Sequence, residues 1–199
     1  QKYAAHVAQT GYPSHLGTLI GQGTLRAGIV GFQDRPLTPS EMEQMKFLLD
    51  DQLNQGALGL SLGLIYPPGS FSPTSELREL ARVVQKHKKI LAVHMRNEGP
   101  NIFQAVEEML SIAEETGVHL HISHLKLMGK AQWGQAPRLL ERIEASRQRG
   151  AVVTCDQYPY TATSTILAAL LPRRAYDGGS AAMLRRVSDP DTSLLRDIA

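Results

Sequence analysis

One cysteine, Cys155, stands in the whole chain. An intrachain disulfide framework is therefore impossible, and the composition fits a reducing, cytoplasmic setting. No apolar run approaches the roughly 20 residues that a membrane span requires, so no membrane partner is expected. Charge of one sign is never concentrated: the formal net charge is only +2 and Lys, Arg, Asp and Glu are scattered. That leaves no basic patch for nucleic acid and no acidic tail. The GxGxxG turn of a dinucleotide-binding sheet is also missing, since the glycines of GQGTLRAG at 21–28 follow no strand. Nothing in the sequence speaks to oligomeric state.

What is present is a regular alternation of apolar runs and amphipathic helices. It is clearest from Ile90 to Lys126, which reads strand, helix, strand. ILAVH ends at His94 and HLHISH ends at His124, 30 residues later. A βα unit of a (β/α)₈ barrel also averages about 30 residues. Helices are expected at about 39–55, 75–86, 101–116, 136–149 and 181–187, with the end of another over residues 1–10. The first of these carries a capping box, Thr38 with Glu41 three residues on. Its Met42, Met45, Leu48, Leu49 and Leu53 share one face, a core stripe. Clear strands are expected to end near residues 64, 94, 124 and 156. A weaker strand is read at Ala27–Val30, a short helix near Thr165–Leu170, and a helix beginning in the terminal DPDTSLLRDIA.

Near-constant spacing and continuously apolar strands favour right-handed βα repeats in a parallel sheet. The fold class is α/β: a partial (β/α)₈ TIM-type barrel, roughly its strands 3 or 4 to 7, with a doubly wound sheet as the alternative. A complete barrel takes about 250 residues. The 199 residues, opening at Gln1, are thus expected to be the central part of one catalytic barrel domain, incomplete at both ends.

In such a barrel the chemistry sits at the C-terminal strand ends. Here those ends offer Tyr66, His94 with Arg96, His124 with Lys126, and Asp156 with Tyr158. Imidazoles suit zinc, and Arg or Lys beside them suits a carboxylate. Two histidines are one protein ligand short of the usual three. Cys155 is a candidate for the third, although strand alternation could equally turn it to the helices. His119 and His121 form an HxH at the start of their strand, the wrong edge, and read as ordinary polar residues. His6, His15 and His87 read as surface residues.

Four motifs carry a resemblance: GALGLSLGLIYPPGSF, VHMRNEG, ISHLKLMGKAQWG and DQYPYTATST. In that order they resemble the N-acyl-D-amino-acid deacylase (D-aminoacylase) family of the amidohydrolase superfamily, over roughly residues 21 to 180. The resemblance implies a zinc-holding (β/α)₈ barrel that hydrolyses N-acyl-D-amino acids to a carboxylate and a free D-amino acid. It implies His94 and His124 as metal ligands, and Tyr66, Lys126, Tyr158 and Ser164 as substrate-binding residues, with Arg96 close by. The family's HxH strand and bridging cysteine come before this segment, and its catalytic aspartate and a carboxylate-binding arginine come after. No catalytic base is therefore expected within the chain, which alone should be inactive. Gln22 stands in GQG where the family pattern has a histidine, and Leu62 stands where a threonine is usual. The alternatives are an amidohydrolase of cyclic amides or amines, and a non-catalytic remnant.

Overall fold

Among the described residues, twelve regular elements follow one another along the chain. They are α1 (Lys2–Thr10), β1 (Ile20–Gly21), α2 (Gln22–Val30), α3 (Pro39–Asn54), β2 (Gly59–Gly63), α4 (Thr74–Lys86), β3 (Ile90–His94), α5 (Ile102–Thr116), β4 (His119–Ile122), α6 (Ala136–Gln148), β5 (Val153–Cys155) and α7 (Ser180–Val187). The computed structural model describes residues 2–11, 14–189 and 194. The helix expected to begin in DPDTSLLRDIA lies almost wholly outside them. Among the described residues, no helix is long and apolar enough to cross a membrane.

All five strands are parallel and lie side by side in chain order, β1-β2-β3-β4-β5. Their two faces differ because side chains alternate along a strand. Leu60, Leu62, Leu91, Val93, Leu120, Ile122 and Val153 are buried. They pack with Met45, Leu49 and Leu53 of α3, Leu77, Leu80 and Val84 of α4, Ile102, Val106 and Met109 of α5, and Leu139 of α6 in one core. Each such side chain contributes about 1.5–3 kcal/mol through burial. Leu62 is part of this layer at 1% exposure, so the departure from threonine serves packing. The opposite face carries Ser61, Ala92, His119, His121 and Thr154, short or polar groups in matching register.

Local chemistry explains the helix ends. Thr38 Oγ1 accepts from the Glu41 N–H and the Glu41 carboxylate accepts from the Thr38 N–H, so both halves of the capping box are formed. Gly117 closes α5 in the left-handed conformation. Gly69, in the turn after β2, is demanded by close approach: a Cβ there would lie 2.7 Å from the Gly63 carbonyl and 3.2 Å from Gln22 Oε1.

Residues 21–30 overturn the sequence reading. GQGTLRAG is no loop and Ala27–Val30 no strand; together they form α2, and the first strand is the dipeptide Ile20–Gly21. Two glycines, Gly23 and Gly28, lower helix propensity in α2, but tertiary contacts override it. Gln22 and Arg26 are fully buried; Gln22 Nε2 donates to Ser72 Oγ at 2.7 Å and, in the first turn of α4, to Glu76 Oε1 at 3.0 Å. Arg26 pairs with Glu76 and donates to the Arg35 carbonyl at 2.5 Å. His87, expected to be solvated, is half-buried and lies 2.9 Å from Asp50 Oδ1. The helix expected near Thr165–Leu170 is a single 3₁₀ turn, Leu167–Leu170.

Candidate metal and substrate site

His94 is the last residue of β3 and shares the polar sheet face with Ala92. Its partner across β2 is Gly63, which has no side chain to fill the space beside the imidazole. His124 arrives differently. The register pairs Ile90 with His119, so Ser123 is the counterpart of His94, and strict alternation would turn His124 toward the helices. Its backbone is left-handed instead, with φ 42°, which breaks the alternation just past the strand. The two rings then stack with centroids 4.5 Å apart and 29° between planes. His94 Nδ1 and His124 Nε2 face each other within hydrogen-bond range. Burial, and then the neighbouring His124, hold His94 below the usual imidazole range.

Those two nitrogens converge as metal ligands do, and the neutral imidazole favoured at His94 is the form that binds metal. The pair fits as part of a metal site and no more than part: among the described residues no group of three or more His, Cys, Asp or Glu side chains is arranged to hold an ion. Cys155 does not complete it. It pairs with Ile122, a helix-facing residue, and opens beside Pro137, Leu140 and Ile143 of α6.

The imidazoles line a cavity of about 360 Å³ with Tyr66, Lys126, Tyr158, Ser164 and Glu98. Six of the seven candidate site residues thus come together. The Tyr66 hydroxyl is 2.8 Å from Thr165 Oγ1. Lys126 Nζ lies 5.5 Å from the Tyr158 ring centroid, close enough for a cation–π contact. The Tyr158 hydroxyl is buried, with no hydrogen-bond partner among the described residues. Arg96 is the one that turns away. Its guanidinium donates to Glu108 at 2.9 and 3.1 Å and to the Ser70 and Ser72 carbonyls at 3.0 Å each, tying the turn after β2 to α5.

Two contributors were not assigned roles by sequence reasoning. Glu98 is held at the cavity by a turn in which Asn97 Oδ1 accepts from the Gly99 and Asn101 N–H groups, each at 3.0 Å. Its place in VHMRNEG, just past a strand end, was the available signal. Asp156 bridges His121 Nε2 at 2.8 Å and the His124 N–H at 2.5 Å. His121 and then the His124 N–H hold its carboxyl below the usual range. The HxH pair therefore acts within the polar face: both rings also reach Thr154 Oγ1, at 3.0 Å from His119 and 2.9 Å from His121.

A parallel sheet in sequential order, with imidazoles at its C-terminal edge, is an α/β arrangement of the kind found in (β/α)₈ barrel enzymes. The comparisons narrow it. The chain is 39% identical over 149 residues to D-aminoacylase of Alcaligenes xylosoxydans xylosoxydans, covering 75% of this chain and 31% of that protein. It is 38% identical over 163 residues to N-acyl-D-glutamate deacylase of the same organism, covering 81% of this chain and 32% of the relative. It also superposes on the crystal structure of N-acyl-D-glutamate deacylase from Bordetella bronchiseptica, complexed with zinc and a phosphonate mimic of the tetrahedral intermediate. There the TM-score is 0.80 at 34% identity, over 83% of this chain and 35% of that one. No family model matches the sequence. The chain is a relative of the N-acyl-D-amino-acid deacylases, and it spans about a third of the length of the curated relatives it matches.

Proposed function

We propose that this chain is the central part of the catalytic barrel of a zinc-dependent, cytoplasmic N-acyl-D-amino-acid deacylase, incomplete at both ends. The observation that carries the reading is the convergence of His94 Nδ1 and His124 Nε2 at the mouth of a cavity that also holds Lys126 and Tyr158. The kinship with deacylases, one of them crystallised with zinc, supports the metal and the substrate class.

In this reading His94 and His124 hold the ion. Zinc held there would supply Lewis-acid polarisation of the amide carbonyl and a more acidic water. The Lys126 ammonium attracts the substrate carboxylate, and its seat against Tyr158 limits where that carboxylate rests. Tyr158 presents its unpaired hydroxyl as a donor, which a buried polar group requires. Tyr66 and Ser164 also line the cavity. The general base, and the acid that protonates the leaving amine, belong to other parts of the longer protein.

The test is metal analysis of the full-length protein together with a panel of N-acetyl-D- and N-acetyl-L-amino acids and cyclic amides. Zinc-dependent release of D-amino acids supports the reading. Turnover confined to cyclic amides or to L-substrates, or a protein without metal, sinks it. Among the described residues no third protein ligand completes the site, and in this reading the base lies elsewhere. General acid–base catalysis is worth about 10²–10⁴-fold, so the isolated chain should give no turnover above background.

A further inference from the structure

Glu98 touches both the histidine and the lysine of the cavity. Its Oε1 lies 3.1 Å from His124 Nδ1 and 2.7 Å from Lys126 Nζ, and its side chain is only 13% exposed. The Glu98 carbonyl accepts from the Met128 N–H at 2.7 Å, which fastens the loop after β3 to the loop after β4. This carboxylate is therefore fixed both at its backbone and at its tip.

A conflict over one nitrogen gives the contact its meaning. Lys126 Nζ is also 2.8 Å from His124 Nδ1. If Lys126 donates there, Nδ1 is the acceptor and the ring proton sits on Nε2, the nitrogen that faces His94. If Nδ1 carries the proton, it needs an acceptor, and Glu98 Oε1 is in place. Only the second tautomer leaves the Nε2 lone pair free for an ion. The partner of one imidazole nitrogen sets what the other can do.

Building on the metal reading above, we propose that Glu98 is a positioning residue. It accepts the Nδ1–H of His124, which commits Nε2 to the point shared with His94 Nδ1. It also draws the Lys126 ammonium onto its own Oε1 and so away from competition for that ring. One carboxylate thereby couples metal affinity to the placement of the cation that meets the substrate. Carboxylates in this outer position change metal affinity or activity by about 10–100-fold when removed.

The experiment uses the full-length protein, with zinc alone as the probe. Zinc dissociation constants are measured by chelator competition for wild type, Glu98→Ala, Glu98→Gln and Lys126→Met. The His124 ring tautomer is read from its ¹⁵N shifts. Glu98→Ala should weaken zinc binding by about 10–100-fold. Glu98→Gln, which keeps an acceptor oxygen for Nδ1–H, should weaken it less. Lys126→Met removes the competitor for Nδ1, so its zinc affinity should equal or exceed that of wild type. Circular dichroism of the metal-stripped proteins separates folding from affinity, and Glu98→Gln carries the test if Glu98→Ala does not fold. Unchanged affinity in both Glu98 variants, or Lys126→Met as weak as Glu98→Ala, overturns the inference and leaves the metal reading standing. A wild-type protein that binds no zinc overturns both.

Discussion

The carboxylate of Asp156 reaches from the end of β5 to the backbone of His124 and accepts its N–H at 2.5 Å. That contact secures the left-handed residue that swings the imidazole back to the polar face. Asp156→Ala should therefore speed amide hydrogen exchange at His124 and weaken zinc binding by about tenfold or more. Asp156→Asn, which keeps an oxygen in place, should do less. Wild-type exchange in Asp156→Ala would show that the turn holds itself.

Lys126 is expected to serve substrate binding and local stability at once. Its side chain is 15% exposed against the 13% exposed Glu98 and also donates to the His124 carbonyl at 2.9 Å. Lys126→Met should raise KM or lower kcat/KM. It should also cost about 1–3 kcal/mol, because it strips a donor from a largely buried acceptor. Adding Glu98→Gln should recover part of the melting temperature and none of the kinetics. Unchanged kinetics would confine Lys126 to a structural role.

Away from the cavity, Arg26 and Glu76 form an ion pair with side chains 0% and 3% exposed. Arg26→Met leaves a buried carboxylate without its cation and should cost about 3–5 kcal/mol in urea unfolding. The Arg26→Met, Glu76→Met double variant should recover most of that, since apolar groups of similar size tolerate the site. Zinc stoichiometry should not change in either. A double variant as unstable as the single one would show that Glu76 matters mainly for Gln22 and Ser72, its other partners.

The capping box of α3 gives a pH signature. The Arg35 guanidinium, at 2.7 and 2.8 Å, and then the Thr38 N–H lower the Glu41 carboxyl from 4.5 to about 2. A carboxylate depressed on folding stabilises above its unfolded pKa and loses that contribution as pH falls through the folded one. The melting-temperature gap between wild type and Glu41→Gln should be full at neutral pH. It should shrink below 4.5 and close near 2. A constant gap across that window would remove the link to ionisation.

The sequence showed most of this where local rules and burial agreed. β3 falls at Ile90–His94 as its apolar run indicates, and the helices begin and end within a residue or two of their caps and glycines. Residues 21–30 were misread because α2 is held by buried polar side chains, Gln22 and Arg26, whose partners lie about 50 residues away. The convergence of His94 and His124 was legible from their spacing, but the reason was not. It depends on one left-handed backbone angle and on Asp156, neither of which leaves a pattern in composition. Arg96 looked like a ligand for an anion because it follows His94, yet its donors are taken by Glu108 and two carbonyls.

Every strand of the sheet bonds to the strand that precedes it in the chain, Ile20 with Leu60, Leu60 with Leu91, Leu91 with Leu120, Leu120 with Val153. A ribosome delivers the strands in that same order. Each new strand finds its partner already made and closes a loop of only about thirty to forty residues, and doubling such a loop costs only about 0.6 kcal/mol. The helix that covers a new pair lies within the loop itself, so each unit brings its own apolar cover. The sheet can grow vectorially, one edge at a time, and the imidazole of β3 is held in a parallel ladder before the segment bearing its counterpart has been synthesised.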